Sequence, residues 1–166
     1  MSVAAVFAAS FEAKADLRNI FPDVSKIPDV TSVYVGKALL RAAGSQKMIG
    51  SGAVDLGKLA ANIDQLQVVM SEKKKSSKQL REIFNNYMNA NRDYSILAQV
   101  QESDDKKGNG QEVTIYAQEN PANPDIIKDA IIVVRDEEEF IFVGIMGEIP
   151  LQALMSTLGQ DSDDNN

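Results

Sequence analysis

The sequence predicts an α+β domain, a mostly antiparallel sheet with amphipathic helices packed mainly on one face. Three observations predict it. From Tyr94 onward, apolar residues recur with period two in segments too closely spaced for helical crossovers, so those strands must pair antiparallel. Leu80, Ile83, Phe84, Tyr87 and Met88 fall at i, i+3, i+4, i+7 and i+8, one stripe of a helix. The chain has 166 residues, 44% hydrophobic and 25% charged, which suits one globular domain. A domain of that size buries about 70% of its unfolded surface and folds without disulfides or a metal.

Residues 1–15 read as a segment apart. Ser2 to Ser10 is small and apolar, and Ala13-Lys14-Ala15 matches the A-x-A pattern of an export-signal cleavage site. The run is shorter than the roughly 20 residues that span a bilayer. We expect the remnant of an export signal; the alternative is an ordinary alanine-rich amphipathic helix. The domain proper is expected over 16–159, with a disordered acidic tail over 160–166.

Within the domain, Asp16 to Asp29, with Pro22 and Pro28, reads as an irregular lead-in. Val30 to Val35 is β-branched and aromatic, a strand. Lys37 to Ala43 reads as a helix stopped by Gly44. After a loop over Ser45 to Gly52, Asp55 is placed to cap a second helix through Asn62. Leu66, Val68 and Met70 alternate within a strand from Gln65 to Ser71. A charged connector, Glu72 to Ser77, leads to the striped helix, with Ser76 or Ser77 as its cap. Tyr94 to Gln101 and Val113 to Ala117 form a hairpin around Asp104 to Gly110. Ala130 to Val134 and Phe140 to Met146 flank a charged turn, Arg135 to Glu139. Pro150 to Leu158 is a last helix whose first turn suits proline. The expected order is β-α-α-β-α-β-β-β-β-α.

Charge and composition exclude several functions. The net charge of −7 repels phosphate backbones, so no nucleic-acid partner is expected. No transmembrane segment is expected either. The chain contains no histidine, the commonest neutral-pH base and metal ligand, and no cysteine, which removes thiol catalysis and Cys-ligated metals.

The remaining motifs are weak. Gly52 to Lys58 fits G-x-x-x-x-G-K, but Leu59 stands where a magnesium-holding hydroxyl belongs, and no buried strand precedes it. Asp136-Glu137-Glu138-Glu139 reads as a solvated hairpin tip, without the two contrasting environments that acid/base catalysis needs. The tail acids Asp161, Asp163 and Asp164 read the same way. Lys37 has no identifiable partner to lower its pKa, and Ser32 and Tyr34 share a strand face without a base. Lys73-Lys74-Lys75 precedes a helix but reads as a solvated connector. Ile141, Val143 and Ile145 oppose Phe140, Phe142 and Met146, so this strand is apolar on both faces. Helix cover is one explanation; the other is that Ile141, Val143 and Ile145 form an interaction surface.

Three stretches carry a family resemblance: Val30-Thr31-Ser32-Val33-Tyr34-Val35-Gly36-Lys37-Ala38, Ile63-Asp64-Gln65-Leu66-Gln67-Val68-Val69, and Phe140-Ile141-Phe142-Val143-Gly144-Ile145-Met146-Gly147-Glu148-Ile149. Over about Asp16 to Leu158 the chain resembles the bacterial envelope family of domain of unknown function 4252. The resemblance implies small exported proteins, often with a signal peptide or lipoprotein signal, and no assigned catalytic residues. It also suggests a regulatory role in envelope signalling. Members often show serine where this chain has Gly36, and no cysteine follows the apolar leader to carry a lipid.

We therefore expect a non-enzymatic periplasmic or secreted module that binds another protein or a small-molecule ligand. It is expected to have no catalytic residues, no cofactor and no metal. A hydrolase using a carboxylate or lysine is the alternative.

Overall fold

A computed structural model describes residues 16–44, 60–103 and 110–158. The strands are β1 (Thr31–Gly36), β2 (Ile63–Ser71), β3 (Tyr94–Glu102), β4 (Gln111–Glu119), β5 (Ile126–Arg135) and β6 (Phe140–Pro150). The helices are α1 (Lys37–Gly44), α2 (Lys74–Ala90) and α3 (Leu151–Leu158). All six strands form one sheet in the order β1-β2-β6-β5-β4-β3, and every neighbouring pair is antiparallel. The meander from β3 to β6 follows from its short connections. β6 then pairs with β2, so α2 carries the chain from β2 to the far edge strand β3.

The element order departs from expectation at the second helix. Of the stretch from Asp55 to Asn62, Ala60–Asn62 form a short 3₁₀ turn, and the rest, with Asp55, lies outside the described residues. The expectation of helices mainly on one face is corrected. The central strands β5 and β6 are apolar on both sides, so both faces need cover, and both receive it.

On the first face, Leu80 and Phe84 of α2 pack with Val69, Ile131, Val133, Phe140 and Phe142. Ile83, Tyr87 and Met88 support that contact, so the stripe seen in the sequence faces the sheet. The lead-in is also core. Leu17 in the 3₁₀ turn Leu17–Asn19, and Ile20 and Phe21 just after it, are buried in the same cluster, and a second turn, Val24–Lys26, follows. The Phe21 ring meets Phe142 edge-on at 5.0 Å between centroids, and Phe84 lies 5.9 Å from Phe142. Gly144 makes room for this. A Cβ there would sit 2.7 Å from the Phe142 ring and 2.9 Å from Leu17.

On the second face, Leu40 of α1 and Leu154 of α3 pack with Leu66, Ala117, Ala130, Ile145 and Ile149. β6 runs on to Pro150, so the proline closes the strand and the helix opens at Leu151. Gly147 lets β6 kink beside Asn62, whose carbonyl a Cβ would strike. Neither Ser76 nor Ser77 caps α2. Its N-cap position is Lys73, and the Lys73 N–H donates instead to the Ser71 hydroxyl. Both serines are buried in the first turn. The Ser76 hydroxyl donates to the Pro28 carbonyl, which ties the lead-in to α2.

Candidate functional site

Among the described residues, the second face divides into a part that helices cover and a part that they leave open. Strand register places Val33, Val68, Val143, Ile132, Ile115 and Ala98 side by side across all six strands. Two residues along each strand, Thr31, Met70, Ile141, Val134, Val113 and Val100 form a second such row. Side chains two apart share a sheet face, so these rows make one apolar strip from edge to edge. The row on the other side, with Leu66, Ile145, Ala130 and Ala117, is the one that α1 and α3 bury. At the strip's ends Val33 is 49% and Val100 is 54% exposed. The central residues are half-buried, Val143 against the neighbouring cluster, and Ile132 is buried.

The strip's free border is acidic. Ser71 and Arg135 both pair with Phe140, so Glu72, Asp136 and Glu139 follow at the same end of the sheet. Asp29 lines one hollow with Glu72, and Glu102 closes β3 at that end. Burial raises the Glu139 carboxyl above the usual range, and the charges of Asp136 and Glu72 add to the shift. The β5–β6 turn is itself tied down. Asp136 Oδ1 accepts from the Glu138 and Glu139 backbone N–H groups, and Arg81 of α2 donates to the Asp136 carbonyl.

The three residues expected to form an interaction surface are split. Ile141 and Val143 lie half-buried in the strip, but Ile145 is fully buried under the helices and has no outward face. The sequence pattern placed all three on one side, and only the position of α1 and α3 separates them. The other strip residues were read singly as strand formers. Their alignment into rows depends on register, which no local pattern displays.

A polar cleft opens on the first face at the opposite end of the strands. It encloses about 580 Å³ and is lined by Tyr34, Lys37, Asp64, Gln65, Lys128, Asp129 and Glu148, with Met146 and Gly147. Lys37 pairs with Asp64 at 2.8 Å, both half-exposed, so this lysine is solvated rather than desolvated. Asp129 is 8% exposed and accepts from the Tyr94 phenol at 3.4 Å. Burial raises the Asp129 carboxyl above its ordinary value, against the Tyr94 hydrogen bond and the Lys128 charge. Burial likewise raises the Tyr94 phenol. Sequence reading missed Asp129. An aspartate inside a strand, Ile126 to Val134, that is apolar apart from it and Lys128 is the available signal.

A second polar group holds the other end of that face. The Arg135 guanidinium pairs with Glu112 at 2.8 Å and reaches the Tyr116 hydroxyl. Thr114, Gln99 and Gln101 also donate to Glu112. Burial alone would raise the Glu112 carboxyl, but Gln101, Thr114 and Arg135 outweigh it and hold it below the usual range.

Among the described residues, no group of three or more His, Cys, Asp or Glu side chains is placed to hold a metal ion. Among them no helix is long and apolar enough to cross a membrane. Ser32 is exposed on edge strand β1, and the Arg18 guanidinium covers the Tyr34 ring at 4.6 Å. Lys74 and Lys75 open α2 in solvent. The Gly52 to Lys58 loop, Ala13-Lys14-Ala15, and the tail with Asp161, Asp163 and Asp164 lie outside the described residues.

The family model for DUF4252, a domain of unknown function, matches residues 25–157. The chain belongs to the DUF4252 family. The matched span of this DUF4252 chain runs from the end of the lead-in through α3 and takes in both the strip and the cleft. No curated protein matches it. Two solved structures are similar in part. One is a Pseudomonas aeruginosa protein of unknown function, PA94, described as a candidate regulator. It shows 8% identity and a TM-score of 0.31, with 76% of this chain and 72% of that one covered. The other is the cyanobacterial PsbP protein of Synechocystis sp. PCC 6803, with 11% identity and a TM-score of 0.32, covering 76% of this chain and 78% of that one.

Proposed function

We propose that this protein is a non-enzymatic binding module of the bacterial envelope, periplasmic or secreted, and that it docks a protein partner on the open strip of its sheet. One observation carries the reading: two registered rows, apolar but for Thr31, cross all six strands, while the cluster that the described helices close on that face takes in the neighbouring row and, of the strip, Val143. Contiguous exposed apolar patches larger than a few hundred Å² are rare on monomeric proteins and mark interaction sites. The export reading is supported by Ala13-Lys14-Ala15.

The test is a pull-down from the native cell envelope with three baits. Wild type is compared with Val33→Lys/Met70→Lys, which changes the strip, and Glu82→Lys, which changes the exposed side of α2. A partner held by wild type and Glu82→Lys but lost by the double variant is expected. A partner held equally by all three overturns the assignment of the strip.

A second reading has its own observation. Asp129 is a nearly buried carboxyl, shifted upward, at the wall of an open cleft, the environment of a general acid. A hydrolase of this kind would show turnover in a broad ester, phosphoester and glycoside screen that Asp129→Asn abolishes. Turnover unchanged in Asp129→Asn, or none at all, removes this reading.

A further inference from the structure

The open strip has a shape and a charge that select its occupant. Its length across the sheet is five strand spacings of about 4.8 Å, roughly 24 Å. Its width is two rows about 7 Å apart, with the reach of their side chains added. On one side α1 and α3 stand above the sheet and wall it in. A second broad sheet approaching face to face would meet those helices before it met the strip. One α-helix, about 10 Å across, fits between the helices and the strand ends, and about 16 residues at 1.5 Å per residue cover the length. Such an occupant would complete the helix layer that α1 and α3 begin.

The charge is one-sided. Asp29, Glu72, Asp136, Glu139 and Glu102 stand along the free border; Lys73 lines a hollow there with Asp29 and Glu72, while Arg135 is engaged by Glu112 and Arg81 by the Asp136 carbonyl. The charges of Asp136 and Glu72 repel that of Glu139, and a cation brought alongside relieves the repulsion. The whole chain carries a net charge of −7, which adds a long-range attraction for a basic partner and opposes a second copy of itself. An anionic lipid surface is disfavoured on the same grounds.

We infer that the partner of this face is an amphipathic helix of another protein. Its apolar side lies on Val68, Val143 and Ile141, and its basic edge lies along Glu72, Asp136 and Glu139. This rests on the binding reading above and names the chemistry of the partner.

The test uses the full chain and two synthetic helical peptides of equal length and identical leucine–isoleucine face. One carries lysines along one edge, and the other carries glutamates there. Calorimetry measures their binding, and a fluorescent apolar dye reports separately whether the strip is open. The lysine peptide is expected to bind, and the glutamate peptide at least about tenfold more weakly. Added salt should reduce the difference. Glu72→Gln/Glu139→Gln should weaken the lysine peptide, while Val33→Lys/Met70→Lys should abolish binding of both peptides and of the dye. Circular dichroism checks that each variant is folded.

Equal binding of the two peptides, lost in the valine–methionine variant, overturns the basic-helix inference and leaves the strip as a docking face. Absence of dye and peptide binding to folded wild type overturns both. Self-association of the wild type that Val33→Lys/Met70→Lys abolishes identifies a second copy as the occupant and also overturns the inference. Binding to anionic vesicles in preference to the lysine peptide does the same in favour of a membrane.

Discussion

The Tyr94 phenol donates a 3.4 Å hydrogen bond to Asp129 Oδ2 across the first face of the sheet. The two residues lie on different strands, β3 and β5, with β4 between them. The Tyr87 ring of α2 packs on Tyr94 at 6.4 Å between centroids. The helix stripe, the edge strand and the buried acid therefore form one packed unit.

The raised Asp129 carboxyl makes stability depend on pH. In the folded state the group binds its proton more tightly than in the unfolded chain. Stability therefore falls as pH rises from the ordinary aspartate range through the folded pKa, and is flat above it. Asp129→Asn keeps an acceptor for Tyr94 and removes the titration. The variant should melt above wild type at neutral pH, and the gap should close as the pH is lowered toward the usual carboxylate value. A pH-independent difference between the two melting curves would contradict the buried, upshifted acid.

Glu112 should behave in the opposite sense. Its folded pKa lies below the unfolded value, so its contribution is complete above the ordinary glutamate range and is lost as pH falls through the folded pKa. Glu112→Gln removes the charge that pairs with Arg135 and should cost about 1–3 kcal/mol at neutral pH. Denaturant titrations at neutral and acidic pH should show that cost shrinking in acid.

Phe84 is fully buried against Phe140, Phe142 and Tyr116. Phe84→Ala should lower unfolding free energy by about 3–5 kcal/mol. An unchanged denaturation midpoint would remove α2 from the core.

Gly144 and Gly36 are a matched pair. A Cβ at Gly144 would meet the Phe142 ring at 2.7 Å, whereas at Gly36 its nearest neighbour is the Tyr34 ring at 3.9 Å. Gly144→Ala should destabilise by about 1–3 kcal/mol through overpacking, and Gly36→Ala should be close to neutral. Equal melting temperatures for the two variants would refute the close approach of Leu17 and Phe142.

Export makes its own prediction. Mass spectrometry of the protein from its native cells should find a mature N-terminus at Asp16, after Ala13-Lys14-Ala15. An intact Met1 in the cytosol would end the envelope reading.

The sequence by itself determined the elements whose signals are local. The i, i+3, i+4 spacing from Leu80 to Met88 specifies α2 and the side it buries, because helix periodicity is a property of consecutive residues. The alternation after Tyr94 and the short connections specify an antiparallel meander, and the family patterns were legible on the same stretches. Local signals are silent on packing at the edges. Pro28, Pro22 and the absence of periodicity made the lead-in look irregular, although Leu17, Ile20 and Phe21 are core. Their burial comes from the far-off strand residues they touch. Tertiary structure alone decided that β6 lies between β2 and β5, that helices cover both faces, and that Leu40 of α1 and Leu154 of α3 pack in the cluster of Leu66, Ala117, Ala130 and Ile145. It also decided that Ile145 is sealed while Ile141 and Val143 are not, and that Asp129 meets Tyr94. Each of these depends on which strands are neighbours and in what register. Register is set by the summed fit of whole faces rather than by any short run of residues.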